Sequence, residues 1–152
     1  MTYDNLLIEA ECEGLTVREK QLKSSDGRIK GQKIAIRKDI PTFSQKACVL
    51  AEEIGHYHTA IGNIIDMQDV RNVKQERQGR IWAYDKMIGL TGIIKAYERH
   101  CLNQNDMAEF LGVTEEFLRD ALNYYKQRYG VFVTIDHYAI YFVPCLIVIE
   151  VY

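Results

Sequence analysis

The sequence predicts an α+β protein dominated by helix. Between Thr2 and Leu122, capping residues are repeatedly followed by apolar residues three and four apart, the helical spacing. The tail, 131-VFVTIDHYAIYFVPCLIVIEVY-152, is dense in β-formers and broken at Asp136-His137 and Pro144, which reads as two or three strands. One further strand signal, Ile34 and Ile36 alternating with Lys33, Ala35 and Arg37, lies between the early helices.

In order along the chain, Thr2 caps a first helix with Leu6, Leu7 and Ala10 on its apolar side and Gly14 ending it. The segment 24-SSDGR-28 is a turn signal, and the 33–37 strand follows until Pro41-Thr42 stops it. Thr42-Phe43-Ser44-Gln45 is a capping-box pattern that starts a helix running from about Phe43 to about His58, with Ala47, Leu50, Ala51 and Ile54 as its core face. Gly62 and Asn63 mark a loop. A second long helix is expected from Val73 to Glu98, weakened by Gly79, Gly89 and Gly92 at about 1 kcal/mol each. Small residues there permit close packing against the preceding helix. The segment 104-QNDMAEFLGVTEEFLRDAL-122 reads as helix, Gly-containing turn and helix, with Ala108, Leu111, Val113, Leu118 and Leu122 as its apolar set.

The 152 residues suit one domain, and 47% hydrophobic with 26% charged residues is the balance of a soluble globular protein. A net charge of −2 predicts no strong attraction to nucleic acid or anionic membranes. No apolar run approaches the roughly 18 residues needed to cross a bilayer. Met1-Thr2-Tyr3-Asp4 shows neither the basic start nor the apolar core of a signal peptide, and Cys12, Cys48, Cys101 and Cys145 form no CxxC pair. The expectation is a cytoplasmic protein with reduced thiols.

The stretch 48-CVLAEEIGHYHT-59 carries the chemistry. Glu52-Glu53-Ile54-Gly55-His56 is one letter from H-E-x-x-H, the helix motif of zinc metallopeptidases. Residues four apart share a helix face, so Glu52 and His56 point the same way and their ends can meet one ion. Glu53, three before His56, stands where such enzymes place the carboxylate that deprotonates a metal-bound water. A catalytic zinc takes three protein ligands and keeps one position open, so a third ligand is needed from elsewhere. Glu76, near the start of the next helix, is the candidate. The bland alternatives are a solvated helix face with a chance His, and a Glu76 that pairs with Arg77 or Arg80.

With 3-YDNLLIEAECEGLTV-17, 50-LAEEIGHYHT-59 and 76-ERQGRIWAYDKMI-88, the chain resembles the ImmA/IrrE family of metallopeptidases, found in phages, mobile elements and bacterial chromosomes. The last segment looks like the family's E-x-E-A-N-x-F-A pattern, with Trp82-Ala83 at Phe-Ala. The resemblance implies a zincin-like core over residues 1–100, with 101–152 forming the helix-turn-helix-like segment and C-terminal strands packed on the same domain. It also implies a metal-dependent endopeptidase that cleaves or inactivates a cognate phage or mobile-element repressor, an antirepressor type of regulation. The carried-over roles are Glu52, His56 and Glu76 as metal ligands and Glu53 as general base. Two departures stand out: Glu52 replaces the family's first metal His, and Gln78 replaces a second Glu. Two carboxylates and one His neutralise a divalent ion, which weakens activation of its water and shifts preference from Zn²⁺ toward harder ions such as Mn²⁺. The alternative function is a catalytically weak or inactive protein of this fold that binds a repressor or a toxin-antitoxin-like partner.

Other residues carry blander readings. Cys48 extends the Glu52–His56 stripe but is too far along the helix to share their ion, and reads as a buried thiol. His58 faces away from His56; His58, His100 and His137 read as surface or capping residues. The second helix of the helix-turn-helix begins Thr114-Glu115-Glu116, with Asp120 a turn later. Acids at the groove-facing end repel phosphate, so direct nucleic-acid binding there is not expected. Tyr124, Tyr125, Tyr129, Tyr138 and Tyr141 read as half-buried core, or alternatively as a protein interface.

Overall fold

The computed structural model describes residues 1–60 and 73–151. The expected Gly62-Asn63 loop lies outside them. The chain is mixed α and β, as predicted, and divides into two compact units, Met1–Met87 and Ile88–Tyr152.

The first unit holds α1 (Tyr3–Cys12), β1 (Thr16–Lys20), β2 (Gly27–Lys30), β3 (Lys33–Arg37), α2 (Phe43–Thr59) and α3 (Val73–Met87). The Thr2 hydroxyl accepts from the Asn5 amide to start α1, and past its end Gly14 takes φ +81, a value cheap only for glycine. Thr42 does the same for α2, accepting from Gln45 N at 3.1 Å. Ala47, Leu50, Ala51 and Ile54 are buried, so the expected core face is the observed one. The sheet runs in the order β1-β3-β2, with β1 parallel and β2 antiparallel to β3. Ile34 and Ile36 of β3 are buried and fix which face of the sheet meets the helices. Only β3 was expected in sequence. β1 has a single half-buried residue, Val17, and β2 alternates over only four residues with Ile29 as its one large apolar side chain, too short a run to signal a strand.

The second unit holds α4 (Gly89–Glu98), α5 (Gln104–Leu111), α6 (Glu115–Tyr129), β4 (Phe132–Ile135), β5 (Tyr138–Tyr141) and β6 (Ile147–Glu150). The single helix expected from Val73 to Glu98 is instead α3 and α4. Gly89 adopts φ +64, which ends helical backbone between them, and its N–H is held by the Tyr125 hydroxyl at 3.1 Å. Asn103 and Thr114 cap α5 and α6, and Gly112 closes α5 at φ +74, giving the expected helix-turn-helix-like pair. Ala108, Leu111, Val113 and Leu118 are buried, with Leu122 half-buried. The tail is a three-stranded antiparallel sheet, β4-β5-β6, turning at Asp136, φ +53. Tyr125 and Tyr138 are core residues, while Tyr124, Tyr129 and Tyr141 are half-buried.

Candidate metal centre

α2 and α3 approach each other at two glycines. A Cβ on Gly55 would collide with the Gly79 carbonyl oxygen, and a Cβ on Gly79 would lie 2.6 Å from His56 Nε2. The crossing therefore exists only because both positions lack a side chain. It brings the first turn of α3 over the middle of α2, and with it Glu76 against His56. A third glycine serves the same site from below: a Cβ on Gly27, at the start of β2, would sit 2.6 Å from Val49 Cγ1 and 3.0 Å from Glu53 Cγ.

Within this space, Glu53 and His56 are buried at 6% and 5% exposure, among residue types that are rarely so without partners. His56 Nδ1 lies 3.4 Å from Glu53 Oε2, and its Nε2 lies 3.2 Å from Glu76 Oε2. Each ring nitrogen thus faces a carboxylate. A neutral imidazole has one N–H and one lone pair. It can donate to only one carboxylate, and the other nitrogen then directs its lone pair at an acceptor. Such an arrangement calls for a cation between the two groups, either a proton or a metal ion. The 3.2 Å separation of Nε2 and Glu76 Oε2 suits a metal, since two ligands about 2.1 Å from a tetrahedral ion stand about 3.4 Å apart.

Glu52 is half-buried on the same helix. Burial pushes its carboxyl up to about 7, the neighbouring Glu53 and Glu76 push in the same direction, and Arg80 and His56 pull against them. It belongs electrostatically to the same cluster. Even so, among the described residues no three His, Cys, Asp or Glu side chains are arranged to hold one ion. The donor chemistry fits a divalent cation at the His56–Glu76 edge. Glu76, whose side chain is 40% exposed, lies against His56.

His58, read in sequence as a surface residue, is half-buried and stacked between Tyr57 and Trp82, with ring centroids 5.5 and 4.9 Å away, and its Nε2 is 2.6 Å from Glu13 Oε2. It ties α1 and α3 to the end of α2 and leaves the ion-binding edge to His56. Cys48 is buried at 7% exposure, as expected. Sequence reasoning passed over Gly27 and Gly55. Their role depends on which backbone they meet, although Gly55 inside a helix of otherwise good formers was a visible anomaly.

A helix-borne Glu-x-x-His cradled by a second helix over a small mixed sheet is the construction of a metallopeptidase-type site. The sequence model of the IrrE N-terminal-like domain, Peptidase_M78, matches residues 10–123, well over half of the chain, and the chain belongs to this ImmA/IrrE-type family. No curated protein and no solved structure matches it.

Proposed function

We propose that this protein is a metal-dependent endopeptidase that acts on a repressor-type regulatory protein. The observation that carries the reading is the placing of Glu53 and Glu76 on the two nitrogens of the His56 ring, at 3.4 and 3.2 Å. A fold built only to be stable gains nothing from burying two ionisable side chains beneath three glycines.

The ion, zinc or manganese, would be held by His56, Glu76 and Glu52, and when bound it supplies Lewis acidity toward a peptide carbonyl and lowers the pKa of water. His56 Nδ1, held against Glu53, fixes the ring so that Nε2 faces Glu76. Glu53, buried and therefore poorly solvated, is the base that takes a proton from water and returns it to the leaving amine. A protonated Glu52 must release its proton to ligate, so metal affinity rises with pH up to and beyond its pKa of about 7.

The test is metal content by mass spectrometry of untagged protein, together with cleavage of candidate regulators. About one ion per chain, lost in Glu52→Ala and His56→Ala, is expected. Glu53→Gln is expected to abolish cleavage while leaving the fold and the ion in place. A specific observation favours a second reading: the three-donor set is not closed among the described residues. On that reading the protein inactivates its partner by binding alone, and Glu53→Gln would leave its effect on the partner unchanged.

A further inference from the structure

The sheet of the first unit has a face that the site does not use. Its inner face is set by Ile34 and Ile36, both buried, and by their register partners Val17 and Ile29. Side chains alternate along a strand, and registered partners share a face. The outer face is therefore Arg18 and Lys20 of β1, Lys33 and Arg37 of β3, and Arg28 and Lys30 of β2, with only Thr16 and Ala35 besides. Arg18, Lys20, Arg28, Lys30 and Lys33 are exposed. No outer-face position of these strands is acidic: Glu19 points inward, where it meets Lys46 of α2 at 2.6 Å. Asp26, in the turn before β2, engages Arg37 at 2.9 Å.

A chain of net charge −2 thus concentrates cations on one sheet face. We propose that this face binds the phosphate backbone of duplex nucleic acid. Three features select that partner. The cations repeat about 6.7 Å apart along each strand and about 4.8 Å between strands, a grid on which each side chain can reach a separate phosphate. The face has no aromatic or large apolar residue. A protein interface needs such anchors at its centre and is depleted in Lys, whereas half of this face's cations are Lys. Single-stranded nucleic acid needs stacking platforms, and none is present on this face. Contacts of this kind position the protein without reading sequence. The inference stands independently of the peptidase reading. The whole-chain charge balance that argued against nucleic acid averages over a distribution the fold segregates.

The experiment is fluorescence anisotropy of a labelled duplex of about 25 base pairs titrated with the full-length protein. Sequence-independent binding with Kd in the range of roughly 1–100 μM at about 50 mM salt is expected, with a log–log salt slope of about −3 to −5 for four to six neutralised phosphates. The fourfold variant R18Q/K20Q/K30Q/K33Q should bind at least tenfold more weakly with a shallower slope. The pair K20Q/K30Q should fall between, and both should keep the parent's thermal melt. Absence of salt-dependent binding would overturn the proposal, as would an unchanged affinity in the folded variants. Tighter binding to a single strand, to polyglutamate or to phosphatidylserine vesicles would assign the face to that partner instead.

Discussion

At the scale of single residues, Glu52 is the most informative position. Its carboxyl is raised from 4.5 to about 7, chiefly by burial. Below pH 4.5 it is protonated in folded and unfolded chains alike and costs nothing. As pH rises toward 7 the unfolded chain releases the proton first, so stability falls, and the loss is complete above the folded value. For chelator-treated protein the full effect is about 3 kcal/mol. Glu52→Gln should therefore be more stable than the parent at pH 8 by that amount and equal to it near pH 4, as urea melts at the two pH values would show. Persistence of the parent's slope in the variant would place its source elsewhere. A divalent ion is the kind of partner that would relieve this cost. Gln78 has no comparable environment in the structure that explains its place in the motif.

At the scale of elements, the site is the product of one helix crossing. α2 and α3 touch through Gly55 and Gly79, where a Cβ would run into the Gly79 backbone and into the His56 ring respectively. Gly79→Ala gains about 1 kcal/mol of helix propensity but forces a methyl into the His56 ring. The net expectation is a loss of about 1–3 kcal/mol, seen as a drop in thermal midpoint of several degrees. Metal content should fall with it, because His56 and Glu76 would be pushed apart. A variant as stable as the parent would mean the helices can slide without cost. The cap of α2 supplies a milder control. Thr42→Ala removes the acceptor for Gln45 N and should cost about 1 kcal/mol without altering the ion. Comparing the two variants separates general loosening of α2 from damage at the crossing.

At the scale of the whole molecule, a ligand that binds only the folded state raises stability by mass action. Zn²⁺ or Mn²⁺ at about 100 times its Kd adds about 2.7 kcal/mol. Chelation should lower the melting midpoint of the parent by a matching amount and leave His56→Ala unmoved. An equal shift in both would mean that the ion binds outside the site. Among the described residues no helix is long and apolar enough to cross a membrane, in keeping with the absence of a long apolar run in the sequence.

Local signals were enough for much of this. Thr2 and Thr42 were legible as caps of the helices that follow them, because a side-chain acceptor for a free N–H acts within three residues. The apolar faces of α2 and of the helix-turn-helix-like pair were legible because helical spacing is a local property. The Glu52-Glu53-Ile54-Gly55-His56 pattern was visible on the same ground, and so was the family, whose match spans residues 10–123. Long-range contacts decided the rest. β1 and β2 exist as strands because β3 offers them hydrogen-bonding edges, and each carries only one apolar strand-former of its own, Val17 and Ile29. Gly89 breaks the expected long helix with a backbone angle that its neighbours in sequence do not demand, and it is held by Tyr125, far along the chain. That Glu76 faces His56, that Gly27 makes room for Glu53, and that scattered lysines and arginines line one sheet face all follow from distance in space. Sequence determines which groups a chain carries and how each short stretch prefers to fold; packing and register determine which of those groups meet.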